Sequence, residues 1–100
     1  MTFEEHVRRA LDALPPELAR RLENVAVVVE DENRAEPDLL GLFEGGDEFL
    51  PDKVTIYRLP LEESFPDPAE LEREIRITVL HEVGHYFGLD EDRLSELGYE

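Results

Sequence analysis

Cysteine is absent from the 100 residues, so no disulfide framework exists and any metal site must be built from His, Asp and Glu. Long apolar runs are absent as well. No stretch approaches the length of a membrane span, and the amino terminus from Met1 to Val7 is polar and acidic, unlike a signal peptide. A cytoplasmic protein with no membrane partner is the expectation. Basic residues are scarce: 10 stand against 26 acids, a formal charge of -16, with the acids spread along the whole chain. Phosphates would be repelled before contact, which argues against nucleic acid. Such an envelope attracts basic peptides, but its plainer role is a solvated surface that keeps the protein soluble. Gln is missing, Asn occurs only at Asn24 and Asn33, Met only at Met1, and Lys53 is the single lysine, a pattern that hints at a thermophilic source.

What is present is enough for one domain, residues 1–100, with one modest core. Hydrophobic residues make up 41% and charged residues 36%, too apolar for a disordered acidic tail. Phe3, Val7, Ala10, Leu11 and Leu14 recur at helical spacing behind Thr2, a candidate N-cap with Glu5 three residues later. Pro15 and Pro16 end that helix, and Glu17 to Leu22 predicts a short second one. The β-branched run Val25 to Val29 predicts a buried strand, and Asp31 to Asp38 a loop. Leu39 to Phe43, leading into Gly45 and Gly46, suits an edge strand and turn. Lys53 to Leu59 predicts another strand, stopped by Pro60 and followed by a loop over Glu62 to Pro66. Asp67, Pro68 and Glu70 then form a helix-start signature, and the long helix behind it turns almost wholly apolar from Ile77 towards Leu89. Gly88 suits its end, with a last short helix through Leu97.

The run His81-Glu82-Val83-Gly84-His85 is H-E-x-x-H, inside the helix that this pattern requires. Residues four apart are separated by about 40° around a helix axis and about 6 Å along it, so two imidazoles converge on one small cation such as Zn²⁺. Glu82 stands about 100° from His81, beside the metal position and free to act as a base rather than a ligand. A catalytic zinc commonly takes three protein ligands, and Glu91, three residues beyond the helix-breaking Gly88, is the leading candidate for the third. Asp90 and Asp92 are its competitors.

The resulting pattern, H-E-x-x-H-x-x-G-x-x-E, resembles the zincins, specifically the Asp-zincin branch, with Glu91 where that branch has Asp. Within it the chain is similar to the minimal zincin-like proteins of bacteria. The likeness extends to Leu39-Leu40-Gly41-Leu42-Phe43-Glu44-Gly45, to the stretch from Leu50 to Arg58 and to that from Asp92 to Tyr99. The resemblance implies an α+β domain, a small mixed β-sheet with the long motif helix packed on it. It also implies a substrate lying extended beside an edge strand, for which Leu39 to Phe43 is the candidate. The implied activity is hydrolysis of a peptide or protein substrate with Zn²⁺ as cofactor, His81, His85 and Glu91 as ligands, and Glu82 as general base.

Each residue also has a plainer reading. His81 and His85 as hydrogen-bonded core histidines, Glu82 as an exposed helix glutamate and Glu91 as a solvated acid at a helix start would need no metal. Leu80 and Val83 beside Glu82 instead predict its burial. Thr78, one turn before His81, either supports the site or bonds its own helix backbone. Tyr86 and Tyr99 either pack or donate to a tetrahedral intermediate. His6 is expected on the polar side of the first helix. Two rival functions follow: a metal-binding module without catalysis, and an acidic interaction domain with no metal. The oligomeric state is not legible.

Overall fold

The computed structural model describes residues 2–86 together with Asp92 and Glu96. Helix α1 spans Phe3–Asp12, where the Thr2 hydroxyl accepts the Glu5 N–H at 3.2 Å, satisfying one of the donors left open at a helix start. Its buried face carries Phe3, His6, Val7 and Ala10. Helix α2, Pro16–Arg21, begins on a proline, whose missing N–H is not needed there.

Strands β1 (Val25–Glu30), β2 (Gly41–Glu44) and β3 (Asp52–Tyr57) form a mixed sheet in the order β1-β3-β2. β1 runs parallel to β3 with Val27 opposite Val54, and β2 runs antiparallel with Gly41 opposite Ile56. Because side chains alternate across a sheet, Val27, Val54 and Phe43 share one face with Val29, Ile56 and Gly41. These residues meet Phe3, Val7 and Ala10 of α1, and Leu71, Ile75 and Val79 of the long helix, in the main core. The topology corrects one expectation. Val25 to Val29 is a half-buried edge strand, and the central β3 holds the buried position, with Val54 and Ile56 fully enclosed.

A second correction concerns the strand expected to run to Leu59 and stop at Pro60, and the loop expected from Glu62: the strand ends at Tyr57 and a helix follows it directly. Residues Arg58–Ser64 form helix α3, with Pro60 in its first turn, where an N–H would have no partner inside the helix. Arg58 secures this turn by donating to Glu62 Oε1 at 2.7 Å and to Asp31 Oδ1 at 2.9 and 3.1 Å, and these two carboxylates raise its pKa above the usual guanidinium value. The β2–β3 connection is tight. Gly46 leaves no space for a Cβ, which would collide with the Leu50 carbonyl, and Asp47 Oδ1 accepts the N–H groups of Phe49 and Leu50.

Helix α4, Pro68–Tyr86, starts as expected: Asp67 Oδ2 accepts the Glu70 N–H at 3.0 Å, and Pro68 takes the first helical position. The expected helix end at Gly88 and the short helix after it lie outside the described residues, apart from Asp92 and Glu96, which are helical and exposed. Among the described residues no helix is long and apolar enough to cross a membrane.

His6 overturns the reading that put it on a polar surface. It is only 9% exposed, and its Nδ1 lies 2.7 Å from Glu72 Oε1 of α4, a contact that requires the ring proton on Nδ1. Arg9 Nε approaches the same oxygen at 3.3 Å. The position between Phe3 and Ala10, on the helix's apolar stripe, was the signal in the sequence.

Candidate active site

Helix α4 turns its apolar stripe, Leu71, Ile75 and Val79, towards the sheet and α1. Thr78 follows Ile75 by three residues and Glu82 follows Thr78 by four, so Glu82 continues a stripe that faces β2. The sheet comes unusually close there. A Cβ built on Gly41 would stand 2.7 Å from Thr78 Cγ2, 3.3 Å from the Thr55 carbonyl and 3.4 Å from Glu82 Cγ. Only a residue without a side chain lets an edge strand lie against the motif helix at this point. The strand begins at Gly41 rather than Leu39, although the Leu40 carbonyl already accepts the Tyr57 N–H at 3.0 Å.

This close approach leaves a cavity of about 360 Å³ between residues 38–41 on one side and Glu74, Ile77, Thr78, His81 and Glu82 on the other. His81 and Glu82 are both half-buried on its wall. The expected burial of Glu82 is therefore partial: its stem packs beside Gly41, and its carboxylate belongs to a residue lining a cavity. Cavities of about 540 and 530 Å³ open elsewhere on the domain, with no histidine among the described residues that line them. A cavity as large as the motif's adjoins His6, but there the Glu72 carboxylate is engaged by His6 and Arg9.

Thr78 follows the plainer of its two readings, with its hydroxyl donating to the Glu74 carbonyl at 2.7 Å. His85 stands one turn beyond His81 in α4, which is the register two converging imidazoles need. Its side chain and that of Tyr86 lie outside the described residues, as do Glu91, Asp90 and Tyr99. Asp92, the other competitor for the third ligand position, is an exposed helical residue. Among the described residues no group of three His, Asp or Glu side chains is gathered to hold a metal ion. The donors that are described fit zinc in kind: an imidazole on a cavity wall with a carboxylate one residue on, in a chain without thiols.

Sequence reasoning did not single out Asp38 and Glu74 as neighbours of the motif. Glu74 carried a signal, since it precedes His81 by two helical turns on the same face. Asp38 carried none, because only the path of the chain into β2 brings it there.

A three-stranded mixed sheet with a motif-bearing helix laid against its edge strand defines an α+β domain of the zincin-like class. The family model for zincin-like metallopeptidases matches residues 22–99, and the chain belongs to that family. No curated protein matches it.

Proposed function

We propose that the chain is a zinc-dependent peptidase, with His81, His85 and Glu91 as ligands and Glu82 as the general base. One observation carries most of the weight: His81 and Glu82 line a cavity at the start of an edge strand, rather than a closed core or open solvent. Membership of the zincin-like family and the one-turn spacing of His81 and His85 support the same reading.

Zinc, when bound, supplies Lewis acidity that polarises a peptide carbonyl and brings the pKa of water near 7. The protein's own groups do the rest. The outer edge of β2 offers backbone N–H and C=O groups to an extended peptide, which aligns a scissile bond alongside α4. Glu82 takes a proton from the attacking water and passes it to the departing amide nitrogen. Its stem, packed beside Gly41, limits the rotamers available to the carboxylate, so the base is held in place before substrate arrives.

The test is elemental analysis of protein purified without added metal, alongside hydrolysis of an unstructured peptide mixture by the native chain and by Glu82→Gln. Stoichiometric zinc in both proteins with hydrolysis only in the native one is the expected result. Metal in both with hydrolysis in neither identifies a metal-binding module without catalysis. Absence of stoichiometric metal overturns the reading altogether.

A further inference from the structure

Two acidic residues that this chemistry does not use line the cavity beside the motif: the exposed Asp38 and the half-buried Glu74. Among the described residues neither has a hydrogen-bond or ion-pair partner, since the Glu74 contact with Thr78 is through the backbone carbonyl. The rest of the wall is apolar where it is not part of the motif: Leu39 and Leu40 come from the strand side and Ile77 from the helix.

A side chain entering such a space must offer hydrocarbon to the leucines and isoleucine and positive charge to the two acids. Lys and Arg have that construction, an aliphatic stem with a cationic head. An acidic side chain would meet Asp38, Glu74 and Glu82, with no Lys or Arg among the described residues of the wall to offset them. A purely apolar one fits the stem region but gains nothing from the carboxylates. Glu74 lies two turns before His81, about 10 Å along the helix, which favours a long side chain over a short one. The chain's formal charge of -16 acts in the same direction by drawing cationic peptides towards it.

We infer that this cavity is a side-chain pocket for Lys or Arg, and that the chain selects peptides carrying a basic residue beside the bond it cleaves. The selectivity rests on the peptidase reading; the pocket does not. Two measurements separate them. The first is anisotropy of a fluorescent hexapeptide with one central Arg, and of its Leu and Glu counterparts, on the Glu82→Gln protein. The second is cleavage of the same peptides by the native chain loaded with zinc.

The Arg peptide should bind and be cleaved about tenfold better than the Leu peptide, with the Glu peptide weakest. In Asp38→Asn/Glu74→Gln the ratio of Arg to Leu should fall to about one, both for binding and for cleavage. A ratio near one in the parent protein overturns the inference, as does a ratio that the double substitution leaves intact. Arg-selective binding without any cleavage would sustain the pocket and sink the peptidase.

Discussion

Along helix α4 a histidine and a glutamate stand side by side at two places, and the two settings differ. Near its start, Glu72 meets His6 across 66 residues of sequence, with the imidazole enclosed and Arg9 completing the charge balance on the carboxylate. Near its end, His81 and Glu82 are adjacent in sequence, half-buried, and share the wall of a cavity. The first pairing bolts α1 to α4, because each group supplies the partner the other needs away from water. The second leaves a glutamate beside open space, which is where the proposed base would have to stand. His81 also lies within the residues matched by the family model and His6 outside them. Residue type therefore says little by itself. What differs between the two places is the setting: an enclosed ion pair between two helices at one, and the wall of a cavity at the other.

The contrast can be broken at either end, and the largest effect is expected at the cavity. Glu82→Gln should lower kcat by about 10²- to 10⁴-fold, the range for losing a general base, while zinc content stays constant. Glu72→Gln should leave kcat within about twofold once the folded fraction is matched. Steady-state kinetics on both proteins, with metal quantified, checks the pair of statements. Comparable loss from both substitutions would erase the distinction.

A smaller effect is expected where the strand touches the motif helix. Gly41→Ala places a methyl 2.7 Å from Thr78 Cγ2, so β2 must move off α4, at a cost of about 1–3 kcal/mol in stability and with a fall in kcat/KM. Thr78→Ser in the same protein removes that methyl partner and keeps the hydroxyl on the Glu74 carbonyl, and should restore much of both. Denaturant unfolding and peptide kinetics of the single and double variants provide the readout.

At the other end of α4, Glu72→Ala leaves His6 enclosed without its acceptor, which costs about 1–3 kcal/mol. Thermal unfolding should record it as a lowered Tm with zinc content unchanged. The smallest effect belongs to the helix start: Asp67→Ala removes the acceptor of the Glu70 N–H and should cost about 1 kcal/mol, with no change in peptide selectivity.

The features legible in advance were those that neighbours in the chain decide. Thr2 and Asp67 were read as helix starts because a cap is a contact between residues three apart, and both accept the expected N–H. The α+β architecture and the edge character of the strand after Leu39 were also readable, the latter from Gly41, Gly45 and Gly46. Errors fell where a distant element intervened. Val25 to Val29 looked like a buried strand because its residues are all apolar, yet the strand order set it at the sheet's edge. Pro60 looked like the residue that ends the strand, yet the strand ends at Tyr57 and Pro60 lies in the first turn of α3, which has no use for the missing N–H. His6 looked solvated until Glu72 supplied the partner that burial demands.

For the site, the one-turn interval between His81 and His85, with Glu82 beside the first, is a property of helical geometry and needs nothing else from the fold. That much the amino-acid order determined alone, since a repeat of 3.6 residues per turn sets angular position without reference to any other segment. The cavity, and the approach of Gly41 and Asp38 to its helix wall, were decided only by tertiary structure. Gly41 and Asp38 reach α4 through a chain reversal some forty residues away in sequence, and contacts of that range depend on packing, which local spacing does not encode.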